Sequence, residues 1–110
     1  MKTLQEYAKE VLENKNNPHV LADLNIEIAA KYAFLADIFK DVQIEKAQFW
    51  QQKFLEAKPL SDTFLEHKWR VTEGGEKELR LKLELKSLQN LMAAIKTSSV
   101  VNAIEAKGTY

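Results

Sequence analysis

The sequence predicts an all-α fold: a long helical hairpin, or coiled-coil-like bundle, of about four helices. Three observations point to it. The stretch 18–58 lies between the only two prolines and contains no glycine. Its apolar residues Leu21, Leu24, Ile28, Tyr32, Leu35, Phe39, Val42 and Phe49 are spaced as one face of a helix. Three glycines and two prolines in 110 residues are few for the turns a sheet requires.

The elements follow in order. Thr3 and Glu6 form a Thr-x-x-Glu capping box, and Leu4, Tyr7, Ala8, Val11 and Leu12 share a face, so a first helix is expected over 3–14. Asn17 caps the next, with Pro18 at its first position, where a missing N–H costs nothing. This helix is expected over 18–57 and ends at Lys58-Pro59, because proline pushes its predecessor out of the α region. Within it the heptad spacing lands Lys46 and Lys53 on the apolar seam. They are either rim lysines with buried stems, the reading preferred here, or inward cations that hold a carboxylate. Ser61 caps a third helix over 62–73, with Leu60 and Leu65 as a hydrophobic staple. Gly74-Gly75 is expected to close it in the left-handed C-cap conformation.

The run Leu79-Arg80-Leu81-Lys82-Leu83-Glu84-Leu85-Lys86 alternates as a strand does. Its residues are strong helix formers and none is β-branched. Leu81, Leu85, Leu88, Met92 and Ile95 continue a helical stripe beyond the alternation. A helix over 76–96 or longer is therefore expected, with a break or kink at Thr97-Ser98-Ser99-Val100-Val101 and one more turn before Gly108. The whole chain, 1–110, reads as a single domain.

Composition narrows the function classes. Lys+Arg and Asp+Glu are both 16, so no global field draws nucleic acid or an anionic membrane. No apolar run approaches a membrane span, and the N-terminus carries Glu6 and Glu10 rather than a signal-peptide core; a soluble, cytoplasmic protein is expected. There is no cysteine. The serines stand in no nucleophile elbow, and Gly74-Gly75 lacks the companions of a phosphate loop. His19 and Asp23 are one turn apart but supply only two metal ligands. Asp37, Asp41 and Glu45 read as a solvated face. No enzyme activity and no cofactor are expected.

Two function classes remain. The first is an interaction or scaffold protein acting through protein–protein contacts, with an unidentified partner. At helical rise the stripe of the second helix runs roughly 60 Å and that of the last roughly 30 Å, so part of the longer stripe is left over. A homo-oligomer, dimer or higher, is expected, with Ile28, Tyr32, Leu35, Phe39 and Val42 at its interface. The alternative is a direct binder of single- or double-stranded DNA. His67-Lys68-Trp69-Arg70 combines aromatic and basic groups, and residues 76–96 carry five basic side chains against three acidic ones. Lys68, Arg70, Lys77, Arg80, Lys82 and Lys86 are the candidate contacts. Trp69 reads as a core residue beside Leu65.

Phe49-Trp50, Leu60-Ser61-Asp62, Lys68-Trp69, the run from Glu78 to Lys86, and Leu88-x-x-Leu91-Met92-x-x-Ile95-Lys96 follow in that order. The order resembles that of small all-helical proteins from the early replication and recombination region of temperate phages of Gram-positive bacteria. The resemblance covers residues 45–96. It implies a phage or prophage accessory protein without known enzymatic activity, and it implies no site residue. Such proteins often continue with a basic helix; here the uncharged 97–101 departs from that pattern, which removes the basis for a shared nucleic-acid contact there.

Overall fold

The computed structural model describes residues 2–54 and 61–108, without the side chains of residues 100 and 103–108. It contains four helices: α1 (Leu4–Glu13), α2 (Pro18–Phe54), α3 (Asp62–Arg70) and α4 (Glu73–Gly108). No strand occurs among the described residues, and the chain is all-α. None of these helices is long and apolar enough to cross a membrane. The expected stop at Lys58-Pro59 and the staple through Leu60 lie outside the described residues.

The helix starts form as their sequences dictate. The Glu6 amide donates to Thr3 Oγ1 at 3.2 Å, and the Thr3 amide donates to Glu6 Oε1 at 3.5 Å. The Val20 amide donates to Asn17 Oδ1 and the Phe64 amide to Ser61 Oγ. Each bond satisfies a first-turn N–H that has no partner within its own helix.

The junction between α3 and α4 corrects one expectation. Gly74 and Gly75 do not close α3, and no glycine among the described residues has a positive φ. Instead α3 ends at Arg70, and Thr72 starts α4, its Oγ1 accepting from the Gly75 amide at 3.0 Å. The same hydroxyl donates to the Trp69 carbonyl at 2.6 Å, which ties the two helices together. Both glycines lie in the first turn of α4 because Trp69 is packed against them. A Cβ on Gly74 would strike the indole ring, and one on Gly75 would strike the Trp69 carbonyl oxygen.

The far end of α4 corrects another. Residues 97–101 do not interrupt it. Thr97 Oγ1 donates to the Ala93 carbonyl at 3.0 Å and Ser99 Oγ to the Ile95 carbonyl at 2.9 Å. Both hydroxyls bond back to their own helix rather than compete with it. Helix α4 thus has 36 residues against 37 in α2, and the length mismatch that suggested a leftover stripe disappears.

The chain divides into two compact units. The first comprises residues 1–34 and 84–110. In it Tyr7 and Val11 of α1, Leu21, Leu24 and Ile28 of α2, and Leu88 and Ile95 of α4 are buried. Lys31 is buried among them, donating to the Lys2 carbonyl at 2.8 Å and lying 3.5 Å from Glu84 and over the Tyr7 ring. Lys2 sits between Glu10 and Glu27. Chiefly through its bond to Glu10, its ammonium is held above the usual lysine range. The second unit comprises residues 35–83. Its buried residues are Leu35 and Val42 of α2, Leu65 and Trp69 of α3, and Leu81 of α4. The Phe49 and Trp69 ring centroids are 5.5 Å apart. Each fully buried aliphatic side chain contributes about 1.5–3 kcal/mol.

The residues expected at an oligomer interface take part in the packing of the single chain. Ile28, Leu35 and Val42 are buried by the chain itself, and Tyr32 and Phe39 are half-buried. The Tyr32 hydroxyl accepts a hydrogen bond from Gln89 at 2.9 Å.

Candidate functional site

The second unit holds a buried polar network. Glu78 of α4 is only 5% exposed. Its Oε2 accepts from Gln43 Nε2 at 2.6 Å and its Oε1 from Lys46 Nζ at 3.3 Å, with Lys82 Nζ at 3.9 Å. Burial pushes the Glu78 pKa up, but the bonds from Gln43 and Lys46 and the charges of Lys46 and Lys82 outweigh it, so the carboxyl sits below its ordinary value of 4.5. Lys46 also reaches Glu66 of α3 at 3.2 Å and lies over the Trp50 ring. Of the two readings of Lys46, the structure takes the inward cation. Lys53 is half-buried, its ammonium over the Phe49 ring. With its partners supplied by three helices, the network clamps α2, α3 and α4 of this unit together.

Sequence reasoning missed the clamp, although a signal for it was present. Glu78 stands three, seven and ten residues before Leu81, Leu85 and Leu88, on the inward stripe of α4. A carboxylate at that register needs a buried donor, and Lys46 occupies the corresponding seam position on α2.

The outer side of the same unit is different in character. Arg70, Val71, Thr72, Gly75, Glu76, Glu78, Leu79 and Lys82 line an open groove of about 620 Å³ where α3 meets α4. Val71 is 86% exposed and Leu79 59%, and Leu83, one turn beyond Leu79, is 60% exposed. Val71 has no periodic signature, since it lies in the two-residue link between the helices. Leu79 and Leu83 flank the buried Leu81 in the alternating run, and the helix turns them outward.

Of the candidate nucleic-acid contacts, Arg70 and Lys82 line the groove together with Glu76 and Glu78. Arg70 lies 3.8 Å from Glu66, Arg80 pairs with Glu76, and Lys82 faces Glu78. Lys68 lies over the Phe64 ring, while Lys77 and Lys86 are exposed. Trp69, the aromatic of that pattern, is 2% exposed and offers no face for a base to stack on. Its indole N–H is the one buried side-chain donor among the described residues that lacks a partner. Among the described residues no group of three or more His, Cys, Asp or Glu side chains is placed to hold a metal ion, and His19 and Asp23 are exposed.

Comparison of the chain with protein-family models, with curated proteins and with solved structures finds no match.

Proposed function

We propose that this chain is a non-enzymatic interaction protein that works through protein–protein contacts made by the α3–α4 groove and the outer face of α4. The observation that carries the reading is the exposure of Val71 and Leu79 in one groove, with exposed Leu83 one turn beyond Leu79, on a unit whose core is already filled by other residues. Large apolar groups gathered at a groove are the usual mark of a binding surface. The resemblance of residues 45–96 to helical phage proteins supplies the proposed setting, an accessory role in phage DNA replication or recombination within the host cytoplasm.

Direct DNA binding is the weaker reading. Three of the six candidate basic groups face carboxylates of their own chain, which lowers the positive charge left for phosphates. Two measurements separate the readings. A photo-cross-linking residue at Lys82 should capture protein in cells, and the double variant Leu79→Asp/Leu83→Asp should abolish the capture. Labelled single- and double-stranded oligonucleotides should show no saturable anisotropy change. Binding that weakens steeply with salt, and is reduced by Lys77→Glu and Lys86→Glu, would instead establish the DNA reading.

A further inference from the structure

On the continuous helix α4, Glu76, Leu79, Leu83 and Lys86 follow at spacings of three, four and three residues. Those are consecutive seam positions of a heptad, so the four side chains form one stripe. All four are exposed. They alternate in angle with the inward stripe of Leu81 and Leu88, which is buried. The outer stripe therefore has the geometry of a helix–helix seam without being the seam that holds this chain together.

The order acid, leucine, leucine, base has a further property. Reversing the helix exchanges Glu76 with Lys86 and Leu79 with Leu83. An antiparallel copy related by a two-fold axis thus sets Leu79 against Leu83 of the second copy, and Glu76 against Lys86 of the second copy, twice over. The apolar centre is four leucines and each end is an opposite-charge pair. A parallel pairing would set Glu76 against Glu76 and Lys86 against Lys86. Self-complementarity of one patch under a two-fold is the condition for a closed dimer. Among the described residues Glu76 pairs with Arg80, an exposed i, i+4 pair of the kind that rearranges at little cost.

We infer that the occupant of this outer face is a second copy of the chain, docked antiparallel along α4 through Glu76, Leu79, Leu83 and Lys86. This rests on the proposed role of that face in protein contact and names its partner. The interface lies on α4, not on the α2 stripe expected from sequence.

The test uses the full chain. Sedimentation at tens of micromolar should give twice the 12.7 kDa chain mass. Glu76→Lys alone and Lys86→Glu alone each place like charges at both ends of the seam and should sediment as monomers. An equal mixture of the two restores both opposite-charge pairs and should recover the dimer mass. Leu83→Asp should weaken self-association at least about 100-fold. Circular dichroism checks that each variant keeps its helix content. A native chain that is monomeric at tens of micromolar overturns the inference, as does a dimer indifferent to both charge reversals. The cross-link from Lys82 keeps the two claims apart. Capture of a different protein by a monomeric chain removes the second copy but leaves the contact surface, whereas a monomer that captures no protein removes both.

Discussion

Leu81 and Leu88 on one side of α4 are buried, while Leu79 and Leu83, two residues from Leu81 on either side, are more than half exposed. All four are leucines in the same helix. What separates them is angle, since residues two apart on a helix point about 200° away from each other. The strand-like alternation of 79–86 is therefore two helical faces interleaved. One face belongs to the core, and the other is exposed. The difference teaches that the leucine content of α4 exceeds what this fold consumes, and substitutions should divide sharply by face.

The largest effect should come from the inner face. Leu88 is fully buried. Leu88→Asp places an unpaired charge there and should cost more than about 4 kcal/mol or prevent folding. A thermal melt followed by circular dichroism measures it, and a melt like that of the parent would mean the inner face is wrongly drawn.

Next comes the clamp beneath the outer face. Glu78→Ala leaves Gln43 and Lys46 without their shared acceptor, although Lys46 keeps Glu66; the expected loss is about 2–3 kcal/mol. The pH dependence has a definite sign. The folded pKa lies below the ordinary 4.5, so the stability supplied by Glu78 is complete above that value and is lost as pH falls through the lower one. The stability gap between the parent and Glu78→Gln, measured by urea titration, should therefore narrow as the pH is taken from neutral to well below 4.5. A gap that widened on acidification would contradict the assignment.

A smaller effect is expected at the α3–α4 junction. In an open helix Gly→Ala gains about 1 kcal/mol. At Gly75 the added methyl meets the Trp69 backbone, so Gly75→Ala should be destabilising, by about 1–2 kcal/mol net. Stabilisation on urea titration would show that the junction yields freely.

How far the sequence could be read divides along the same line. Element types were legible because period and capping are local: Thr3 with Glu6, Asn17 with Pro18, and Ser61 all sit where helices begin. The α2 stripe was legible for the same reason, with Leu21, Leu24, Ile28, Leu35 and Val42 all buried. Gly74-Gly75 misled because glycine has two uses, a left-handed cap or close packing, and the choice was made by Trp69 across the junction. The span 97–101 misled because hydroxyls that favour turns also bond back to the helix. The Glu78 clamp needed three helices to be assembled before its partners met. The groove was hidden for a related reason: Leu79 and Leu83 are outward only once Leu81 and Leu88 are known to be inward.

The smallest stability effect is the one on which the account turns. Leu79→Asp/Leu83→Asp changes two large apolar residues, yet each is more than half exposed. Urea unfolding of this double variant beside Leu88→Asp, at a dilution where self-association is absent, compares the two faces directly. The double variant should unfold within about 0.5 kcal/mol of the parent with an unchanged denaturant slope, while Leu88→Asp collapses. A double variant that loses as much stability as Leu88→Asp would show that Leu79 and Leu83 belong to the core, and no surface for a partner would remain on that side of α4.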